Sequence, residues 1–252
     1  MKTIPRSLPL WLILVLAAGL SGCATAPSEN AAPKAGEKAA FAPPTDLTAT
    51  LADPIDIDLR WKNNASNAAG YFVQYSPEAN NDFVIITTVP PNATTYRHPR
   101  LLPNTRFVFR VVPFFGQASN VASITTGKEG PQQPPAPEPP ASASTEAKYS
   151  LRSTATAGQA APTDLTAKLI PPAGVELKWK DHASDADGYL VEIKPEGSTD
   201  FKASVSLNPG STELISYGFP NETKFFFRVR AYVVGKPSNL AEQTTGADPS
   251  LP

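Results

Sequence analysis

Cysteine, histidine and long apolar runs are all scarce in this chain. Its 252 residues contain one cysteine, Cys23, and two histidines. A single cysteine excludes a disulfide within the chain, and beyond the N-terminal segment no apolar run is long enough to cross a membrane. The 22 Lys and Arg residues nearly balance the 23 Asp and Glu residues, so no basic surface points to a nucleic-acid partner.

Candidate catalytic or metal-binding residues are equally sparse. His98 and His182 lie in different halves of the sequence, whereas a zinc site or a catalytic triad needs its ligands or members together. We therefore expect both to be surface loop histidines. The sequence has no glycine-rich phosphate loop and no G-x-S-x-G motif. It predicts a protein that is not an enzyme, with no catalytic residue, no metal site and no cofactor.

One acidic stretch, DHASDADGY at residues 181–189, is a candidate cation site. Asp181, Asp185 and Asp187 could converge on a hard cation, but Ala183 and Lys194 occupy positions where a calcium loop needs carboxylates. A similar stretch earlier in the chain, ASNAAGY at residues 65–71, has no carboxylate. An Asp-Gly turn between two strands explains the same residues without a metal.

The N-terminus has the pattern of an export signal. Lys2 and Arg6 precede an apolar run from Leu8 to Leu20 that is too short for a membrane span. The run ends in Leu-Ser-Gly-Cys, which resembles the lipobox of bacterial lipoproteins. The resemblance implies a signal peptide at 1–22 and acylation of Cys23. The alternative is an ordinary signal peptide whose cleavage leaves a free thiol.

Acylation would fix the location of the protein. Two or more acyl chains hold a protein on a membrane essentially permanently. The expectation is therefore a protein anchored through Cys23 in the cell envelope, on the outer membrane if the organism has two membranes. In that form the sulfur is a thioether and cannot act as a nucleophile or ligand.

The remainder of the chain consists of two copies of one unit. PTDLTA occurs twice, IDLRWK corresponds to VELKWK, FVFRV corresponds to FFFRV, and SNVASITTG corresponds to SNLAEQTTG. The repeats span 42–127 and 161–246. Residues 23–41 and 128–160 are rich in Pro, Ala, Ser and Thr, which predicts a disordered tether and a disordered linker. Residues 247–252 form a C-terminal tail.

Each repeat alternates apolar and polar residues with a period of two. Ile57, Leu59 and Trp61 fall on one side of a strand, and the FVFRV and FFFRV segments alternate in the same way. Short strands separated by Pro, Asn and Gly predict a β-sandwich. The predicted fold class is all-β, with two tandem sandwiches joined by the Pro-rich linker. Because few contacts should cross such a linker, each repeat is expected to fold alone.

Both repeats resemble fibronectin type III domains. The shared features are an opening proline, a strand-B tryptophan, a Gly-Tyr start of strand C and a turn into strand F. The first three fall at Pro44, Trp61, Gly70 and Tyr71, and at Pro162, Trp179, Gly188 and Tyr189. One departure is Phe107 and Phe225, where the family usually has a corner tyrosine. Phenylalanine keeps the packing but has no hydroxyl to bond the backbone.

Four apolar residues fall on the outward side of the predicted strands C and F: Phe72, Val108, Leu190 and Phe226. Strands C and F are neighbours in the type III sandwich, so each repeat should carry a small exposed patch, Phe72 with Val108 and Leu190 with Phe226. These patches are the predicted binding residues. The alternative is that they only favour strand formation.

These observations predict a lipid-anchored protein that binds an unidentified protein partner, for adhesion or scaffolding. The alternative partner is a polysaccharide, with the chain acting as a carbohydrate-binding accessory module. The sequence offers little for that alternative, since Trp61 and Trp179 are expected to be core residues rather than a sugar-binding platform.

Overall fold

The computed structural model of the chain describes residues 41–76, 82–128, 160–171 and 174–247. The predicted signal peptide, Cys23 and nearly all of the tether and linker lie outside these ranges. Every regular element among the described residues is a strand. No helix there is long and apolar enough to span a bilayer.

The first repeat forms seven strands. Ile57, Leu59 and Trp61 are buried while the residues between them are not, as the alternation predicts. The strands are β1 (Thr45–Asp53), β2 (Asp56–Lys62), β3 (Gly70–Ser76), β4 (Val84–Val89), β5 (Thr95–His98), β6 (Arg106–Phe115) and β7 (Ala122–Thr125).

The second repeat forms the same series. Val175, Leu177 and Trp179 are its buried equivalents of the residues in β2. The strands are β8 (Thr163–Ile170), β9 (Gly174–Lys180), β10 (Gly188–Pro195), β11 (Lys202–Leu207), β12 (Glu213–Ser216), β13 (Lys224–Val234) and β14 (Ala241–Thr244).

Each repeat contributes one three-stranded sheet, in the order β1-β2-β5 or β12-β9-β8. These sheets pack on a larger sheet in which β3 pairs with β6 and β10 pairs with β13, so the predicted C and F strands are neighbours. Two separate apolar cores result, one around Trp61 and Phe109 and the other around Trp179 and Phe227. The predicted all-β fold class with tandem sandwiches is confirmed.

The last strand of each repeat lies on the other repeat. β7 pairs antiparallel with β13, with Thr125 opposite Lys224, and β14 pairs with β6, with Thr244 opposite Arg106. Each sandwich is therefore completed by a strand from the other half of the chain. The expectation that few contacts cross between the repeats is wrong.

The two larger sheets are continuous. Phe114 and Phe115 near the end of β6 pair with Val234 and Val233 near the end of β13, which gives one eight-stranded sheet. Its main path runs β11-β10-β13-β6-β3-β4, and the end strands β4 and β11 also approach each other. The sheet thus curls around one of its own faces, called here the far face because it points away from both sandwich cores.

Candidate functional site

Three of the four predicted binding residues are buried. Phe72, Val108 and Leu190 are 0%, 2% and 1% exposed. Phe72 and Leu190 do point away from the sandwich cores, as the alternation predicts, and both lie on the far face. The prediction of exposed patches is wrong for these three residues. For Phe72 and Leu190 the reason is that the far face of one repeat is covered by the other.

Phe72 and Leu190 meet in a third apolar core, which we call the central cluster. Its buried members are Phe72, Val112, Phe114, Leu190, Tyr232 and Val234. The Phe72 ring lies 4.7 Å from that of Phe114 and 5.3 Å from that of Tyr232, and the second contact is edge-to-face. Since Tyr232 comes from the second repeat, this cluster holds the two repeats together. The hydroxyl of Tyr232 lies 3.0 Å from that of Ser206.

The predicted pairing within each patch is also wrong. In β3 and β6 Phe72 lies opposite Val112, while Val108 lies opposite Ser76. The second repeat has the equivalent register, so Phe226 lies opposite Lys194 rather than Leu190. Phe226 is half-buried, and the ammonium groups of Lys194 and Lys224 lie 5.0 Å and 5.2 Å from its ring centroid.

β7 and β14, the strands exchanged between the repeats, are each preceded by a Ser-Asn motif that holds the strand in place. The Ser119 N–H donates to the Val229 carbonyl at 2.7 Å, and the Val229 N–H donates back to the Ser119 hydroxyl at 3.0 Å. Ser238 makes the same two bonds with Val111, at 2.9 Å and 3.0 Å. Each serine therefore ties its segment to strand F of the other repeat.

The asparagine of the motif reaches the first strand of the other repeat. The side-chain amide of Asn120 accepts from the Leu165 N–H and donates to the Leu165 carbonyl, both at 3.0 Å. Asn239 does the same with Leu47, at 3.0 Å and 2.9 Å. Both leucines are buried, so these amides satisfy backbone groups that water does not reach easily.

A threonine completes the attachment at the far end of each exchanged strand. The Thr126 hydroxyl donates to the Pro220 carbonyl at 2.6 Å, and its equivalent Thr245 donates to the Leu102 carbonyl at 2.6 Å. We call the segments 119–126 and 238–245 the clasps. The sequence showed them only as a repeat marker, since the same bonds can be made within a repeat or between repeats.

The hinge between β6 and the first clasp lies close against β13. Gly116 has a φ of 139°, and a Cβ there would lie 2.0 Å from the Ala231 carbonyl oxygen. The guanidinium of Arg230 donates to the Gly116 carbonyl at 2.6 Å and to the Glu192 carboxylate at 3.2 Å. Burial lowers the pKa of Arg230, and the Glu192 charge opposes that effect. A buried cation thus holds the hinge of the other repeat.

The first repeat is similar to a known domain family. Residues 42–126 match the sequence model of the fibronectin type III domain. Residues 42–126 are therefore similar to a fibronectin type III domain. Human cardiac-type myosin-binding protein C (Homo sapiens) is 31% identical over 80 residues, which cover 30% of this chain and 6% of that protein. The match therefore spans only a small fraction of that relative.

Solved structures with fibronectin type III domains also align with the chain. The FN1–FN3 domains of chicken CNTN1 cover 84% of this chain and 68% of that chain, at 16% identity and a TM-score of 0.28. A two-domain segment of chicken tenascin covers 80% and 99%, at 15% identity and 0.27. An Fn3-like protein from Clostridium thermocellum covers 30% and 77%, at 25% identity and 0.27.

The corner position of the fibronectin type III domain is filled as the sequence predicts. Phe107 is buried and stacks on Phe109 with ring centroids 6.2 Å apart. Phe225 is likewise buried and packs against Phe219 and Phe227. Trp61 and Trp179 are core residues, as expected, and neither contributes to a surface platform for sugars.

The acidic loop binds backbone groups. Asp181 accepts from the Ala183 N–H at 2.7 Å, and Asp187 accepts from the Val234 N–H at 2.8 Å. Gly188 begins β10, where a Cβ would lie 2.6 Å from the Leu207 carbonyl oxygen. Within the described ranges no group of three or more His, Cys, Asp or Glu residues could hold a metal ion.

The two histidines differ in their surroundings. His182 is exposed in a loop and lies 2.8 Å from the Thr163 hydroxyl, as predicted. The prediction is wrong for His98, which belongs to β5 and packs between Tyr75 and Phe109, with ring centroids 5.7 Å and 6.1 Å away. Alternation in β5 turns His98 inward between the sheets of the first sandwich.

The second sandwich has a cavity at the equivalent place. Ser216 replaces His98, Leu214 replaces Tyr96 and Ile193 replaces Tyr75. These smaller side chains leave an opening of about 80 Å³, lined mainly by aliphatic residues and Phe227. The aromatic cluster around His98 therefore fills space in one sandwich that stays open in the other.

We expect His98 to make stability depend on pH. Burial lowers the pKa of its imidazole, an effect that the charge of Asp56 partly offsets. As the pH falls, the unfolded chain therefore binds the proton first. The contribution of neutral His98 to the free energy of unfolding is fully present above the unfolded pKa of about 6.5. It declines as the pH falls below that value toward the folded pKa. Between about pH 7.5 and about pH 5.5 the free energy of unfolding should fall less in His98→Gln than in the unsubstituted chain.

Urea unfolding at both pH values measures this difference, and His182→Gln controls for the loss of an imidazole as such. An identical pH dependence in His98→Gln and the unsubstituted chain would contradict the assignment.

Proposed function

We propose that this chain is a non-enzymatic protein of the bacterial cell envelope, anchored to the membrane through Cys23, that binds other proteins. The fibronectin type III match at residues 42–126 carries the proposal, because this domain is a common binding module. The Leu-Ser-Gly-Cys sequence at residues 20–23 supports the anchor. On this proposal the anchored sandwiches present a rigid binding surface.

The central cluster cannot be that surface, since the repeats cover it. The three-stranded sheets present exposed ion pairs, such as Asp46 with Lys62 and Asp164 with Lys180, and such pairs contribute little to affinity. A better candidate is the pair Val121 and Leu240, which occupy equivalent positions in the clasps and are each 52% exposed. Recurrence of an exposed apolar residue in both repeats favours a contact role.

The anchor is tested by substitution of the cysteine. Metabolic labelling with a radioactive fatty acid should mark the unsubstituted protein, and Cys23→Ser should abolish the label and either release the chain from the membrane fraction or stall its processing. Equal labelling of the two proteins would exclude acylation at Cys23.

The binding surface is tested separately on the soluble chain carrying Cys23→Ser. With Val121→Ser and Leu240→Ser together, we expect at least a tenfold loss of affinity for a protein captured from envelope extracts, because apolar anchors dominate interface energies. Leu102→Ser is the control, since Leu102 is 68% exposed but its equivalent in the second repeat is Pro220. Unchanged affinity would exclude the clasp surface, and capture of a polysaccharide would favour the alternative partner.

A further inference from the structure

The two clasps are interchangeable ligands for two equivalent grooves. Their sequences, SNVASITTG and SNLAEQTTG, share the Ser-Asn pair and the Thr-Thr-Gly end. Each serine bonds a valine of strand F, and each asparagine bonds a leucine of the first strand. The two grooves therefore offer equivalent hydrogen-bonding groups, although Ile124 of the first clasp corresponds to Gln243 of the second.

No bond between the repeats requires that both belong to one chain. The ladders of β7 on β13 and β14 on β6, the Phe114 to Val234 pairing and the central cluster all join one repeat to the other. If the second repeat came from another copy, all of these contacts could form unchanged. Exchange between identical copies of an element is a low-cost route to dimers.

The covalent connection at residues 128–160 determines how often a first repeat pairs with the second repeat of another copy. Tethered partners meet at an effective concentration that is roughly millimolar for short connections. Pairing between the two repeats of the same chain is therefore favoured in dilute solution. A second copy competes once its local concentration approaches the same range.

We propose that this chain forms a reciprocal dimer with a second copy of itself, in which β7 of each copy lies on β13 of the other and β14 of each copy lies on β6 of the other. The hinges at 116–118 and 235–237 would keep their present course, since they already lead each clasp away from its own repeat. This dimer needs neither a lipid anchor nor a different partner protein.

The test uses two versions of the full chain, both with Cys23→Ser. One carries Thr125→Cys and the other carries Lys224→Cys. These positions are directly opposite each other in the β7–β13 ladder, so their Cα atoms are about 4.5–5.5 Å apart, within the range of a disulfide. A disulfide between the two versions forms efficiently only when β7 of one copy lies on β13 of the other.

The two versions are unfolded together, refolded at concentrations from about 1 μM to about 1 mM, and oxidised. Only half of the dimers formed at random pair the two versions, so we expect the disulfide-linked dimer to rise from about 1% or less to about a quarter of the protein across this range. The control replaces Lys224→Cys by Lys178→Cys on β9, an exposed residue on the sheet that does not include β13.

Native mass spectrometry of the Cys23→Ser chain without the other substitutions, refolded at the same concentrations, gives a measurement that does not depend on the introduced cysteines. Dimer that increases with concentration would support the proposal there too. A linked species no more abundant than in the Lys178→Cys control, together with a monomer at every concentration, would overturn it.

Discussion

Replacing Asn239 by alanine is expected to weaken the first sandwich, although Asn239 belongs to the second repeat. The substitution removes both hydrogen bonds to Leu47 and leaves a buried backbone N–H without a partner. Such a loss costs about 2 kcal/mol. Amide hydrogen exchange at Leu47 should therefore speed up roughly 30-fold, while exchange at Leu165 stays unchanged.

Asn120→Ala is the matched variant and should have the opposite effect. It removes the two bonds to Leu165, so Leu165 should exchange faster and Leu47 should not. If each clasp instead lay on its own repeat, the two results would be interchanged. The pair of variants therefore shows directly which clasp lies on which sandwich, and interchanged results would contradict the strand exchange.

Much of each sandwich could be predicted from the sequence. Alternation placed Ile57, Leu59 and Trp61 inward, and the family resemblance made strands C and F neighbours; both predictions are confirmed. These features depend on local patterns, because the period of two determines which residues share a face of a strand. The fold class follows from the same information.

The strand exchange could not be predicted, because the two clasps are so alike. Ser119 can bond the valine of either F strand, and Asn120 can bond the leucine of either first strand. A pattern read from one repeat at a time cannot distinguish these partners. The choice depends on how the two repeats pack, which involves residues far apart in the chain.

The prediction of exposed binding patches is wrong for a related reason. Alternation correctly placed Phe72 and Leu190 away from the sandwich cores, but it does not say what covers that face. A face that would be wet in an isolated sandwich becomes a core when a second sandwich covers it. That packing explains why an apolar residue recurs at Phe72 and Leu190.

Phe72 is expected to be among the most costly residues to replace, because it lies at the centre of the packing between the repeats. Its side chain is fully buried, and it contacts Phe114 of its own repeat and Tyr232 of the other. Phe72→Thr removes the ring and leaves a hydroxyl in an apolar core. The expected cost is about 3–5 kcal/mol in the free energy of unfolding, measured by urea denaturation.

Phe226→Thr provides the control, since both substitutions remove the same atoms from the same face of the sheet. Phe226 is only half-buried, and the cations near its ring come from Lys194 and Lys224, long side chains that can turn to water. Threonine is also a good strand residue, so this variant should cost about 1 kcal/mol. The contrast depends on the repeats being packed together, because in two separate sandwiches both rings would face solvent. Equal small costs for the two variants would show that the central cluster does not form in solution.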